Sequence, residues 1–420
     1  MNYESALEYI HAVQWAGHKP GLSRTRTLLA ALGDPHKKLH FVHVAGTNGK
    51  GSTAAMLASC LQAAGYRVGL YTSPFINRFN ERIQVNGEQI PDDALVRLVE
   101  RVRPAADAMA DVPTEFEIIT ALGMLWFAEE KCDIVVLEVG LGGTLDSTNV
   151  IDPPECAVIT ALGMDHVKEL GPTISDIAAA KAGIIKPGSP VVSYGGVPKA
   201  DAVIARVAKE QNAPLTVVDL SRLKVEGGDL DAVTFDFDGL DGVRLPLIGS
   251  YQPKNAALAI TALRVLRSRG WNIPDSVIRT GLEQVSWPGR LSCCGIRPLS
   301  CWTAVTTPTG CGLPSRASGT ASRGRSSSSC SASWPTRMWT RCWHCCCRWQ
   351  SGSSRSRPTR PAPCPLRRWQ NTSTPGAERL RQRRTSRRAS PARWSWAVTA
   401  RCVRWGLSTS PVMSGRRSSG

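Results

Sequence analysis

The sequence is poor in several residue types, and unevenly so. Over the last 130 of its 420 residues there is no lysine, aspartate, phenylalanine or tyrosine, and the one acid is Glu378. Few aliphatic side chains stand there in any regular pattern, so burial cannot offset the entropy of ordering, and residues 291–420 are expected to stay mostly disordered. No run approaches the ~20 apolar residues of a membrane span. No N-terminal stretch joins a basic start, an apolar centre and a small-residue cleavage site. A membrane or exported protein is therefore not expected; the reading is a cytoplasmic monomer. Cysteine is scarce in the first 290 residues, where Cys60, Cys132 and Cys156 lack metal-ligand spacing and read as reduced core residues.

What is present divides the chain in two. A net charge of +17 would ordinarily point to a polyanionic partner. Residues 1–290 sum to −5, however, whereas residues 291–420, with 23 arginines, sum to +22. The tail also holds 11 of the 14 cysteines and 9 of the 13 tryptophans. Its arginines and tryptophans would permit phosphate contacts and base stacking. Against nucleic-acid binding stand the lack of any lysine and the cluster of Cys342, Trp343 and Cys345 to Cys347, odd company for a solvated arm. With His344 these cysteines match no ordinary zinc module.

The first part alternates strand and helix signals. Helices are expected at 3–15 and 24–32, then an apolar strand Phe41–Ala45, a glycine-rich turn, a helix at 54–64 ended by Gly65, and a strand Val68–Tyr71. Apolar runs at 134–139 and 157–160 suit parallel strands covered on both faces. Further helices at 172–185, 199–211, 255–268 and 274–285 separate strands near Val191 and Leu215, and 222–247 reads as hairpins. The expected fold class is α/β, a doubly wound parallel sheet.

Between the first strand and its helix stand Gly46, Thr47, Asn48, Gly49, Lys50, Gly51 and Ser52. Glycines let the backbone wrap phosphate oxygens with its N–H groups inward, the helix N-terminus adds positive potential, and Lys50 can reach terminal phosphates. The expected ligand of this P-loop is ATP. Glu138, at the carboxyl end of an apolar strand, is where a doubly wound sheet places ligands and can hold Mg²⁺; alone, it is equally a strand-end charge reaching solvent.

These segments, with Ser73-Pro74, Arg78 to Ile83, Leu137 to Asn149, Asp165-His166, Lys181 to Ile184, Gln252 to Asn255 and Pro288 to Arg290, resemble folylpolyglutamate synthase and its bifunctional form, dihydrofolate synthase, of the Mur ligase superfamily. The resemblance implies a Mur-ligase-like ATPase domain over 1–290. It implies that ATP phosphorylates a dihydropteroate or folate carboxylate and that the amine of L-glutamate attacks the acyl phosphate. By correspondence, Gly46 to Ser52 with Asn255 and Arg290 bind the nucleotide; Ser73, Glu138 and His166 hold Mg²⁺; and Lys50, Lys181 and His166 are catalytic. Gly21, Leu22, Ser23, Arg24, Thr114, Glu115, Phe116, Glu117, Leu145, Asp146 and Ser147 correspond to contacts with the pterin substrate. In the family the lysine matching Lys181 is carbamylated; by pattern alone it is an exposed helix lysine. Thr144, where arginine is usual, and Phe75, where histidine is common, depart from the pattern. A Mur-type ligase of UDP-linked substrates shares the phosphate loop and is the second reading.

The resemblance stops after Arg290, where a second domain with an Asp-x-x-His-Asn-Pro motif should follow. A shift of reading frame accounts for this. Trp302 is encoded only by TGG and Thr303 begins AC, so the shifted codon is GAC, aspartate. Continued through Thr309, the shifted codons can spell Gly-Gly-His-Asn-Pro-His.

Overall fold

The computed structural model describes residues 1–12, 21–229 and 231–288, together with three short strands in the tail. Its centre is an eight-stranded sheet in the order β4-β3-β2-β5-β1-β6-β7-β8. Six strands run parallel: β1 (Phe41–Ala45), β2 (Val68–Tyr71), β5 (Ile134–Glu138), β6 (Cys156–Ile159), β7 (Val191–Ser193) and β8 (Leu215–Val217). One edge departs from the expected all-parallel sheet. There β3 (Ile83–Val85) and β4 (Glu88–Gln89) form a hairpin antiparallel to β2, turned by Asn86 and Gly87 at positive φ.

Alternation along the strands divides the core into two layers. Val42 and Val44 of β1, Ile134 and Val136 of β5 and Val158 of β6 point to one face, against α3 (Lys50–Ala63), α9 (Gln252–Ser268) and α10 (Asp275–Gln284). Phe41, Val135 and Leu137 point to the other, against α1 (Tyr3–Ala12), α2 (Ser23–Ala31), α4 (Asp92–Asp107) and α5 (Glu115–Glu129). A satellite cluster places α7 (Ile174–Ala182) and α8 (Pro198–Glu210) against Ala157, Ile159 and Val191; the short α6 (Val167–Leu170) precedes α7. A three-stranded antiparallel sheet of β9 (Leu223–Gly228), β10 (Val233–Phe237) and β11 (Leu240–Leu245) seats Phe235, Val243 and Leu245 in the first layer, as the expected hairpins require.

Helices α4 and α5 were not expected. In α4, Leu95, Leu98, Val99 and Val102 stand at helical spacing and are fully buried, a legible signal. In α5, Ile118 to Phe127 are all buried, so no period separates helix from strand. Its start is explicit nonetheless: Thr114 and Glu117 form a reciprocal capping box. No helix among the described residues is long and apolar enough to cross a membrane. Cys60, Cys132 and Cys156 are free and buried, as expected.

Within 291–420, β12 (Ser292–Cys293), β13 (Ser300–Thr303) and β14 (Ser328–Ser331) pair as a separate small sheet. The rest of that segment, and the expected nucleotide contact Arg290, lie outside the described residues.

Candidate active site

Strand order reverses at β1, which lies between β5 and β6, so a crevice opens beyond its carboxyl end. The loop that follows is shaped by two glycines with no room for a side chain. Gly46 has φ +151, and a Cβ there would meet the Thr160 backbone at 3.1 Å; Gly49 has φ +90, and a Cβ would meet Asn255 Oδ1 at 2.6 Å. Gly49 is the N-cap of α3, so the helix starts at Lys50, four residues earlier than expected, and its open N–H groups face the crevice. The loop is pinned to the strand-end loop of β6: the Thr47 and Asn48 N–H groups donate to the Ala161 carbonyl at 3.1 and 3.0 Å, and Thr47 Oγ1 donates to the Gly163 carbonyl at 3.1 Å.

Asn255 reaches the loop from α9. Its Nδ2 donates to Gln252 Oε1 at 3.1 Å, and Gln252 Nε2 donates to Ser52 Oγ at 3.3 Å, so a buried amide pair braces the first turn of α3. Gln252 belonged to the recognised motif but had no role assigned to it. Trp287 closes the other side: a Cβ on Gly51 would lie 3.1 Å from its ring.

Lys181 is not the exposed helix lysine that its pattern implies; it is 3% exposed, on α7, and its Nζ donates to the Gly46 carbonyl at 2.8 Å. Burial, then the positive charge of Lys50, lowers its pKa to about 7, against the pull of Asp165 and Asp146. An amine far more readily deprotonated than an ordinary lysine thus sits on the phosphate loop itself. Lys50 Nζ lies 3.5 Å from the Thr47 carbonyl at the same loop.

Glu138 is buried at the end of β5, in register with Val44 of β1, and its Oε2 accepts the Ser73 N–H at 3.2 Å. The structure therefore brings Ser73 and Glu138 together. His166 is carried on the β6 loop as the left-handed N-cap of α6, with Nε2 3.6 Å from Asp165 Oδ1. Among the described residues no three His, Cys, Asp or Glu side chains are gathered into a metal cage. The Ser73 hydroxyl and the Glu138 carboxylate are oxygen donors of the kind that suits Mg²⁺, which keeps several waters and takes phosphate oxygens rather than an all-protein shell.

The three segments expected to meet the acid substrate converge at the start of α5. Arg24, at the start of α2 beyond Gly21, Leu22 and Ser23, donates from Nε to Glu117 Oε2 at 3.0 Å, and both are buried. Glu117 also accepts the Thr114 N–H at 2.6 Å. Glu115 pairs instead with His11 at 2.9 Å, nearer the surface. Phe116 packs edge-on against Tyr71 with ring centres 6.1 Å apart. Ser147 Oγ lies 2.7 Å from Thr120 Oγ1 of α5. Burial raises the pKa of Asp146, whose carboxylate accepts the Leu141 and Thr148 N–H groups at 2.8 and 3.0 Å. Asp146 thus holds its loop together, while Leu145 beside it is 52% exposed, an apolar surface facing outward. Thr144 donates both N–H and Oγ1 to the Ala180 carbonyl, at 2.9 and 3.0 Å, and so ties this loop to the helix of Lys181.

Comparison with known proteins identifies the family and the fold. Residues 44–263 match the Mur ligase middle domain. The chain is 44% identical over 300 residues to a dihydrofolate synthase/folylpolyglutamate synthase of Bacillus subtilis, covering 69% of this chain and 70% of that protein. It is 42% identical over 321 residues to a folylpolyglutamate synthase of Lacticaseibacillus casei, covering 74% and 75%. An FPGS-AMPPCP-folate complex superposes with TM-score 0.69 at 41% identity, covering 74% of this chain and 78% of that one.

Proposed function

The chain belongs to the folylpolyglutamate and dihydrofolate synthase family of Mur ligases, and from that premise we propose how its residues divide the work. The reaction is ATP- and Mg²⁺-dependent ligation of L-glutamate to dihydropteroate or to a folate already carrying glutamate. ATP supplies the phosphoryl group that turns the acid's carboxylate into an acyl phosphate, from which the glutamate amine displaces phosphate to form an amide. Little of this asks for covalent chemistry from the protein, so its task is to hold charge and align three substrates.

Gly46 to Ser52 receive the triphosphate, Lys50 neutralises its terminal oxygens, and Asn255 with Arg290 completes the nucleotide site. Ser73, Glu138 and His166 would hold Mg²⁺, which would offset the negative charge of the phosphates. Lys181, on the Gly46 carbonyl, is poised in its deprotonated form to add through Nζ to the carbon of carbon dioxide, the N–C bond forming as one N–H proton leaves to solvent, so that a carbamate anion replaces the amine. The segments 21–24, 114–117 and 145–147 take the acid. The observation that carries this reading is Lys181 on the phosphate loop, with Glu138 at the end of the neighbouring strand β5 accepting the N–H of Ser73, which follows β2.

Residues 291–420 stand where the second ligase domain belongs, and we propose that they do not supply it. Their composition supports this, as does the shifted motif at Trp302 to Thr309. Purified chain should then bind AMPPCP with Mg²⁺ yet ligate glutamate to dihydropteroate at a rate near background. Robust ligation would overturn the second statement; no calorimetric signal with AMPPCP and Mg²⁺ would overturn the first. Turnover of a UDP-linked acid in place of dihydropteroate would favour the Mur-type reading.

A further inference from the structure

The loop between β2 and β3 carries a cation that the site as described leaves without a task. Arg82 ends the 3₁₀ turn Phe79–Arg82, and its carbonyl accepts the Thr72 N–H at 3.0 Å, beside Ser73. Its guanidinium lies 5.1 Å from the ring centre of Phe75 and 5.9 Å from that of Phe79. Its Nε is buried and has no hydrogen-bond partner among the described residues. Glu115, Glu138 and Tyr71 act on it through space, and among the described residues no carboxylate pairs with it directly.

The contrast with Arg24 is instructive. That buried arginine has Glu117 at 3.0 Å and Asp111 at 3.2 Å. Leaving a buried polar group unmet is costly, more so when it is charged. Two ring contacts fix the plane of the guanidinium but satisfy none of its N–H donors. Such an arrangement is stable in place and incomplete in its bonding. The fork of an arginine matches a carboxylate in shape as well as charge.

We propose that Arg82 receives the carboxylate of the acid substrate and holds it beside Glu138. The phosphates have Lys50 and the glycine loop on the β1 side, whereas Arg82 approaches from the Ser73 side, past Tyr71 and the start of α5, where the acid segments meet. The proposal rests on the ligase reading and specifies the group that fixes the end of the acid where reaction occurs. Phe75, which departs from the usual histidine, gains a purpose as the face on which the guanidinium lies.

The test uses the full chain with AMPPCP and Mg²⁺, titrated calorimetrically with dihydropteroate and with its carboxamide, which keeps the rings and loses the charge. The unaltered chain should prefer the acid about tenfold or more. Arg82→Met should bind acid and carboxamide alike, Arg82→Lys should keep part of the preference, and AMPPCP affinity should stay within about twofold in both. The melting temperature of Arg82→Met should be unchanged or higher, because a buried N–H without a partner has been removed; a merely structural arginine would leave a less stable protein. An acid preference that survives in Arg82→Met overturns the proposal, as does failure of the unaltered chain to bind the acid. Loss of glutamate affinity with acid preference intact assigns the arginine to the amine substrate and equally overturns it. If AMPPCP also fails to bind the unaltered chain, the ligase reading fails with it.

Discussion

At the amino end of the central sheet, ahead of β1 and β6, Glu155 has Arg269 Nε at 3.0 Å, His40 Nδ1 at 2.9 Å and Trp271 Nε1 at 3.5 Å. Burial pushes this carboxyl up, but the hydrogen bonds from Arg269, His40 and Trp271 outweigh it and hold the pKa below the usual range. The groups are partly exposed, paired and packed, with Trp271 edge-on to His40 and Tyr66. At the carboxyl end of the same sheet, Lys181 is buried on a single carbonyl and Arg82 Nε has no partner among the described residues. One end uses its charges to hold the fold; the other leaves Lys181 and the Nε of Arg82 short of partners, as a site that awaits negatively charged ligands does.

Substitutions should separate the two ends. The largest effect is expected from Lys50→Ala, which should weaken AMPPCP binding about a hundredfold while leaving the melting temperature nearly unchanged, since a phosphate-bonded cation contributes most in the complex. Gly49→Ala should follow, costing about 1–3 kcal/mol of stability and weakening nucleotide binding together, because the new Cβ faces Asn255 at a φ of +90. Circular-dichroism melts and calorimetry on the same sample would show whether the two losses coincide.

Acidity gives a third test. The pKa of Lys181 is lowered to about 7 in the fold, against 10.5 ordinarily, so between those values the unfolded chain binds the extra proton. The apo protein should therefore gain stability as pH rises from about 7 toward 10, the penalty of the buried cation being fully present below that window. Lys186, lowered by burial to about 8, adds to the slope in the same direction. Urea unfolding across that range should be flatter for Lys181→Met; an equal slope in both proteins would show that the lysine is not desolvated.

The smallest effects belong to the amino end. Glu155→Ala should cost about 1–2 kcal/mol of stability, and His40→Ala, which removes a largely exposed partner, less than about 1 kcal/mol. Neither should alter AMPPCP affinity. A nucleotide-binding defect in either would break the division between the ends.

Much of this was legible in the residues. The strand, glycine loop and helix around Lys50 follow from turn chemistry and period, and Glu138 from its place at a strand end. The α5 helix was not legible, because a segment buried on every side shows no preferred face. Nor was the burial of Lys181 readable from its own helix, whose last turn exposes nothing about what packs over it. Arg82 stood in a motif that was recognised, but a cation reveals its purpose only when its partners can be counted.

Thr144 and Gly183 leave one further mark on the molecule. A Cβ on Gly183 would fall 2.6 Å from Thr144 Cα, while Thr144 grips the Ala180 carbonyl with two bonds. The loop of Thr144 to Ser147 and the helix that carries Lys181 are consequently one mechanical piece. A displacement of either is therefore shared by the other.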